Sequence, residues 1–358
     1  MTFHYADTLE KHNGIHSGID TNIYHVTPTI AIKAVCLDQA PNYHAGEHPL
    51  LREIAFLKRL NQRQDRCAEI VEHFLVLPDH IFLSYCANGS IYPRLRDRQE
   101  RETGPKTWYG RLIRVKGYED PALVARWIQQ LSSALAYVEK MGFCHNDVHA
   151  GNCFLDKDYN LKLGDFGRAT DIGQFLDRVL APRARLLNAG PLEGSFGLCS
   201  ARTEQFALGT LLYFLVYGYE PYDNLDLCPK ELDRRLREFE LPELDRHEVF
   251  DGLISACWHN VYPTMALTAY DFKRKTKDIA SVTPYQTIDR AKEIRTCEAL
   301  VQKGILGPEL AVQFQPFWLK YLYFGTSIFI WRILFNIPRR IWLGLWYRFA
   351  MLILDLVS

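Results

Sequence analysis

Three things are missing from this chain of 358 residues: net charge, paired cysteines and long uncharged apolar runs. Its 42 basic side chains match 42 acidic ones, so there is no bulk electrostatic pull toward nucleic acid and no nucleic-acid partner is expected. The nine cysteines are odd in number and include no C-x-x-C pair, which argues against a zinc site or a disulfide scaffold and for reduced, intracellular thiols. The opening MTFHYADTLEKHNG lacks the apolar stretch of roughly 7–15 residues that a secretory signal needs, so export by that route is not expected. What is present, 48% hydrophobic and 23% charged residues, is the composition of a folded globular chain with room for one large domain or two moderate ones.

Residues 20–36 read as two short strands, TNIYHV and TIAIKAV, turning at Thr27-Pro28 with β-branched residues on both sides. From His48 onward Leu50, Leu51, Ile54, Leu57 and Leu60 recur at three- and four-residue steps, which gives one apolar face to a helix carrying Glu53. Two further strands are expected near 67–76 and 80–86. Between Arg94 and Lys116 lie eight basic and three acidic residues with Gly104-Pro105, a pattern that reads as a solvated loop or, in its functional version, as a basic docking surface. Asp120 then caps a helix with Pro121 at its first position, and Leu123, Trp127, Leu131, Leu135 and Val138 form a stripe that Gly142 stops.

Directly after that helix comes His145-Asn146-Asp147-Val148-His149-Ala150-Gly151-Asn152, and thirteen residues after Asn152 stands Asp165 in Asp165-Phe166-Gly167. The pair resembles the protein-kinase catalytic loop, H-x-D with an asparagine five residues on, followed by D-F-G. Upstream, Ile30-Ala31-Ile32-Lys33 resembles the V-A-I-K strand, and Glu53 follows twenty residues later on the next helix. The chain thus resembles a divergent eukaryotic-type protein kinase of the protein kinase-like superfamily. That resemblance implies an α+β, two-lobed fold over residues 10–275, with a small β-rich N-lobe holding one helix (about 10–86) and a large, mainly helical C-lobe (about 87–275). Composition and pattern add a linker with a helical segment over 276–315 and a C-terminal helical, hydrophobic and basic tail over 316–358.

The same resemblance implies an ATP-dependent phosphotransferase acting on serine, threonine or tyrosine hydroxyls of a protein substrate, with ATP and Mg²⁺. In it Asp147 faces the attacking hydroxyl, Asn152 and Asp165 hold Mg²⁺, and Lys33, oriented by Glu53, neutralises phosphate oxygens. Gly18, Thr21 and Ile23 align with the nucleotide-cradling loop. Ala31 and Phe154 would sandwich the adenine, whose edge would meet the backbone of Ser84 and Cys86. Leu57, His145 and Phe166 would stack as an apolar column.

Departures from the pattern bear on mechanism. A G-x-G-x-x-G run is absent, and Gly14 and Gly18 serve equally as loop punctuation. Arg202-Thr203-Glu204-Gln205-Phe206-Ala207-Leu208-Gly209 resembles the D-x-W-S-L-G helix with glutamate for aspartate. Cys257-Trp258 and Tyr262-Pro263-Thr264 resemble C-W and R-P-T with tyrosine for arginine, and Pro191-Leu192-Glu193 is the nearest substitute for A-P-E. Asn146 replaces the arginine that receives an activating phosphate, so activation by segment phosphorylation is not expected. His149 stands where serine/threonine kinases place lysine, and H-x-D-x-H-x-G-N also resembles aminoglycoside- and choline-type phosphotransferases. A small-molecule phosphotransferase and a pseudokinase scaffold are the rival readings. The glycine-poor loop favours the latter, while Lys33, Asp147, Asn152 and Asp165 oppose it.

Four of the seven tryptophans fall in the tail, where Lys320, Arg332, Arg339, Arg340 and Arg348 face only Asp355. No uncharged run reaches the roughly 18 residues of a clean spanning helix. Tryptophan with arginine suits contact with a membrane surface, so the protein is expected in the cytoplasm or on the cytoplasmic face of a membrane. A helical pair docked on the large lobe and broken at Pro338 is the alternative.

Overall fold

The computed structural model describes residues 9–315 apart from 10, 11, 19, 37–47, 103–109, 178, 180, 226 and 286. The chain divides into two units, one made of residues up to 49, 73–85 and those from 287 onward, the other of 50–72 and 86–286. The architecture is α+β, with a β-sheet lobe and a helical lobe.

The first unit is built on a five-stranded antiparallel sheet in the order β1-β2-β3-β5-β4. Its strands are β1 Asn13–Ser17, β2 Thr21–Thr27, β3 Ile30–Val35, β4 His73–Leu77 and β5 His80–Ser84. The sequence IAIKAV of β3 is buried along its whole length, as befits a central strand covered on both faces. Because strand side chains alternate, Ile30, Ile32 and Ala34 share one face. They pack with Phe74 and Phe82 against Cys297, Val301, Ile305 and Leu306. Cys297 and Val301 come from α8, Arg290–Gln302, and Ile305 and Leu306 from the turn after it, while Leu310 and Phe314 of α9, Pro308–Phe314, pack against the same cluster. Asp289 caps α8 by accepting the Lys292 N–H at 3.0 Å, and Thr29 Oγ1 donates to Glu293 at 3.0 Å. Arg290 donates to the carbonyl of His73. Lys33 sits on the other face of the sheet.

The second unit is mainly helical. Its α1 is Leu51–Asn61 and α2 is Ile91–Arg96, and α3, Pro121–Lys140, forms the main axis. The carboxylate of Asp120 accepts the Ala122 N–H at 3.1 Å, as an N-cap should. Trp127, Leu131, Leu135 and Val138 are buried. α4, Ala201–Tyr217, is buried over nearly its full length and packs beside α6, Glu248–Trp258, while α7, Met265–Thr276, lies along α3. A Cβ on Gly209 would lie 2.7 Å from that of Cys257, so only glycine lets α4 approach α6 this closely. α5 is Pro229–Arg237. Short antiparallel pairs complete the unit: β6 Gln99–Arg101 with β7 Leu112–Val115, β8 Phe143–Cys144 with β11 Thr170–Asp171, and β9 Cys153–Leu155 with β10 Leu161–Leu163.

Four expectations change. A strand, β1, precedes the two strands expected over 20–36, and the strand expected over 67–76 begins only at His73. The charged stretch 94–116, expected as a loop, holds the β6–β7 hairpin. Its charges do not oppose pairing because they point outward or are matched: Arg114 meets Glu100 at 2.6 Å, Arg101 meets Asp223, and Arg94 and Arg98 share the buried carboxylate of Glu119 at 2.6 and 3.3 Å. The segment 276–315, expected as a linker with a helical segment, supplies the α8–α9 layer that closes one face of the sheet. Residues 316–358 lie outside the described residues. Among those described, no helix is long and apolar enough to cross a membrane.

Candidate active site

The loop 145–152 is held from below by one buried side chain. Glu204, in the first turn of α4, accepts the His145 N–H on Oε2 at 2.8 Å and the Asn146 N–H on Oε1 at 3.0 Å. Burial pushes its carboxyl from the ordinary 4.5 up to about 7, against the pull of those two amides. Glutamate therefore fills the place where the resemblance expects aspartate, and it does so through two loop-anchoring hydrogen bonds. His145 is fully buried, and burial lowers its pKa. Its Nε2 lies 3.0 Å from the Gly164 carbonyl, and its Nδ1 accepts the Asp147 N–H at 3.2 Å. Only the neutral ring protonated on Nε2 meets both contacts. Phe166 packs edge-on to this ring at 4.8 Å and flat on Phe56 of α1 at 3.9 Å. Phe56 thus makes the aromatic stack on Phe166, next in sequence to the Leu57 expected in that column.

Asp147 presents a carboxylate that is 17% exposed. Burial opposes its charge, but His149 and Arg168 outweigh it and hold the carboxyl below the ordinary aspartate range. His149 Nε2 lies 3.6 Å from one carboxylate oxygen and Arg168 Nε 3.6 Å from the other. His149 Nδ1 accepts the Gly151 N–H at 3.0 Å, so in the neutral ring the proton sits on Nε2, toward Asp147. Asn152 donates its Nδ2 to the Asp147 carbonyl at 3.0 Å and to Oδ2 at 3.2 Å. The site is thus an ionised carboxylate held by three neighbours, the arrangement a proton acceptor requires.

Asn152 is buried, and its carbonyl accepts the Gly164 N–H at 3.0 Å, which ties the loop to the residue before Asp165. Asp165 is exposed and adopts left-handed backbone angles (φ 60°, ψ 73°). That conformation is uncommon for aspartate and clusters at functional sites. With the amide nitrogen of Asn152 committed to Asp147, its side-chain oxygen and the Asp165 carboxylate are hard oxygen donors, the kind Mg²⁺ takes one or two of together with phosphate oxygens. Asn146, also at positive φ (63°), donates Nδ2 to Thr170 Oγ1 at 2.7 Å and to the Arg168 carbonyl at 3.2 Å. It therefore pins the segment after Asp165-Phe166-Gly167 directly, without a phosphate.

The remaining expected residues fall as follows. Gly18 lies in the β1–β2 turn, its N–H donating to the Thr21 carbonyl at 2.9 Å. Thr21 opens β2, where Ile23 pairs with Lys33 across to β3. Ala31 and Lys33 are buried on β3, and Ser84 ends β5 opposite Ile30. Glu53 is buried on α1. Cys86 accepts the Gly89 N–H at 3.0 Å, and Phe154 is half-buried on β9, against the place a Gly164 side chain would take. Sequence reasoning gave no role to Arg168 or Phe56. Glu193, in the nearest substitute for A-P-E, meets Arg237 of α5 at 2.6 Å. Tyr262, standing for the missing arginine, donates its hydroxyl to Asp271 at 2.7 Å.

A β-sheet lobe bearing a buried lysine, and a helical lobe bearing an anchored H-x-D loop and a D-F-G turn, define the protein-kinase class. The sequence profile of the protein tyrosine and serine/threonine kinases matches residues 13–264, and the chain belongs to that family. Similar relatives include NUAK family SNF1-like kinase 1 of Homo sapiens, 26% identical over 238 residues, covering 63% of this chain and 31% of the relative. Serine/threonine-protein kinase ppk16 of Schizosaccharomyces pombe is 29% identical over 196 residues, 51% of this chain and 25% of the relative. The tyrosine-protein kinase transforming protein Abl of Abelson murine leukemia virus is 31% identical over 140 residues, 36% and 18%. The chain spans less than a third of the length of each of these.

Proposed function

We propose that the protein is an ATP-dependent protein kinase that moves a phosphoryl group to a hydroxyl of a protein substrate. The observation that carries this reading is Asp147, ionised and held by His149, Arg168 and Asn152. Its Oδ atoms accept the proton of the attacking hydroxyl, and the nearby histidine and arginine steady the charge before transfer. Asn152 and Asp165 are the proposed Mg²⁺ ligands, and Lys33 with Glu53 the proposed phosphate cation and its orienter. Gly18, Thr21, Ile23, Ala31, Ser84, Cys86 and Phe154 are proposed to seat the nucleotide. When bound, Mg²⁺-ATP supplies the transferable phosphoryl group and neutralises charge on its oxygens.

A small-molecule acceptor is the second reading, favoured by the fixed position of His149 beside Asp147. One experiment separates the two: purified full-length protein with Mg²⁺-ATP, offered a generic protein acceptor or a panel of amino-sugar and choline-like alcohols. Label in protein supports the first reading. Label only in the alcohols supports the second, and no ATP turnover with any acceptor leaves the scaffold. We further propose that residues 316–358 contact an anionic membrane surface, from five basic side chains against one acidic among aromatic and aliphatic ones. Flotation with phosphatidylserine vesicles tests this: full-length protein should float and a truncation after Gln315 should not.

A further inference from the structure

The helical unit holds a second cleft, of about 790 Å³, that contains none of the phosphotransfer residues. It lies by the C-terminal end of α4, with α5 and the approach to α6 as further walls, and five tyrosines line it: Tyr118, Tyr213, Tyr217, Tyr219 and Tyr222. Tyr213 and Tyr217 are stacked at 4.2 Å, and Tyr219 stands edge-on to Tyr213 at 5.7 Å. Tyr217 is fixed at its far end, donating to Asp251 at 3.0 Å and accepting the Asp245 N–H at 2.8 Å. This makes a rigid aromatic wall.

Two polar features of the cleft have nothing to bind. Tyr222 is 7% exposed, and its buried hydroxyl has no hydrogen-bond partner. A buried hydroxyl left so carries its full desolvation cost with nothing to offset it. Tyr222 also holds a left-handed backbone (φ 66°), which a tyrosine rarely adopts. At the exposed rim, Glu243 and Asp245 make no ion pair among the described residues. The other charges are already engaged. Glu240 meets Arg234 at 2.8 Å, Arg235 meets Glu231 at 3.0 Å, and the Arg246 guanidinium lies 3.2 Å over the Tyr118 ring.

We propose that this cleft is a docking site for an arginine-bearing peptide segment of a protein partner. A guanidinium stacks on tyrosine faces, pairs with carboxylates through its fork of N–H groups, and offers a donor to an unsatisfied phenol oxygen. The volume is in the range that holds a ligand of many atoms rather than one side chain, which favours a peptide over a free cation. With a protein substrate as partner the inference rests on the protein-kinase reading. Its test does not, because binding is read without nucleotide, so loss of docking and loss of phosphotransfer are separate results.

The probe is a fluorescein-labelled, end-blocked peptide of glycines with two arginines, titrated with full-length protein at low salt and followed by anisotropy. Its arginines are replaced by glutamine or glutamate in the controls. Saturable binding of the arginine peptide alone is expected, weakened at least ~10-fold in the Glu243→Gln/Asp245→Asn variant and on raising salt to about 0.5 M. Tyr222→Phe keeps the ring and should weaken binding roughly 5- to 10-fold, the loss of one hydrogen bond. The rim variant alters only exposed positions, and an unchanged thermal midpoint shows that it folds. Absence of binding by the wild type, equal binding of the glutamine or glutamate peptide, unchanged binding by the rim variant, or competition by N-acetylarginine amide as potent as the peptide overturns the proposal.

Discussion

The two units are closed in opposite ways. The sheet unit draws its strands from residues 13–84 yet completes its core with Cys297, Val301, Ile305 and Leu306, which lie far along the chain. The helical unit has its main packing between α3, α4, α6 and α7, which all lie between residues 121 and 276, and the loop 145–152 is anchored inside it by Glu204. A substitution near residue 300 should therefore reach the strand that carries Lys33, whereas the hydrogen bonds around Asp147 are made by residues of the helical unit.

The largest effect should come from breaking the remote closure. Val301 is 0% exposed, and Val301→Asp would place a carboxylate with no partner against β3, costing at least ~3 kcal/mol. Hydrogen exchange should show β3 and β5 losing protection while α3 and α4 keep theirs. Equal loss in both units would break the comparison.

Next in size is a pH effect confined to the helical unit. The folded-state value of Glu204, about 7, lies above the ordinary 4.5, so the folded chain keeps a proton that the unfolded chain releases. The stability associated with it is complete below pH 4.5 and is lost as pH rises through 7, by about 3 kcal/mol across that window. Urea unfolding at a series of pH values should show this fall, and Glu204→Gln should flatten it. An unchanged slope in the variant would place the titration elsewhere.

A smaller effect is expected at the clamp on the segment that follows Phe166. Asn146→Ala removes two hydrogen bonds, worth about 1 kcal/mol each, and should raise exchange at Thr170 and Asp171 with only a modest fall in the thermal midpoint. The smallest is the cut after Gln315. It keeps α8 and α9 and should change sheet stability by less than ~0.5 kcal/mol. A cut after Gln286 removes both helices and should unfold the sheet.

The sequence disclosed what is written locally. His145 to Asn152 and Asp165 to Gly167 are contiguous motifs, and α3 announces itself through Asp120, Pro121, an apolar stripe and Gly142. β2 and β3 show in their β-branched residues. What stayed hidden depends on partners distant in the chain. β1, NGIHS, has little strand character of its own and exists by pairing with β2. β6 and β7 are masked by surface charge that a hairpin tolerates. The anchoring by Glu204 and the match of Glu193 with Arg237 are contacts that no spacing reveals. α8 was readable as a helical segment, but not the sheet it covers.

The most direct measurement is phosphoryl transfer by the wild type and by Asp147→Asn, with Mg²⁺-ATP affinity determined on the same preparations. Asp147 lies in the helical unit, and its proposed role is confined to proton acceptance, so the variant should bind nucleotide like the wild type. It should turn over at least ~10³-fold more slowly, about 4 kcal/mol of barrier. Equal turnover by the two proteins, or none by the wild type with any acceptor, would contradict the assignment of Asp147 as the proton acceptor of an active kinase.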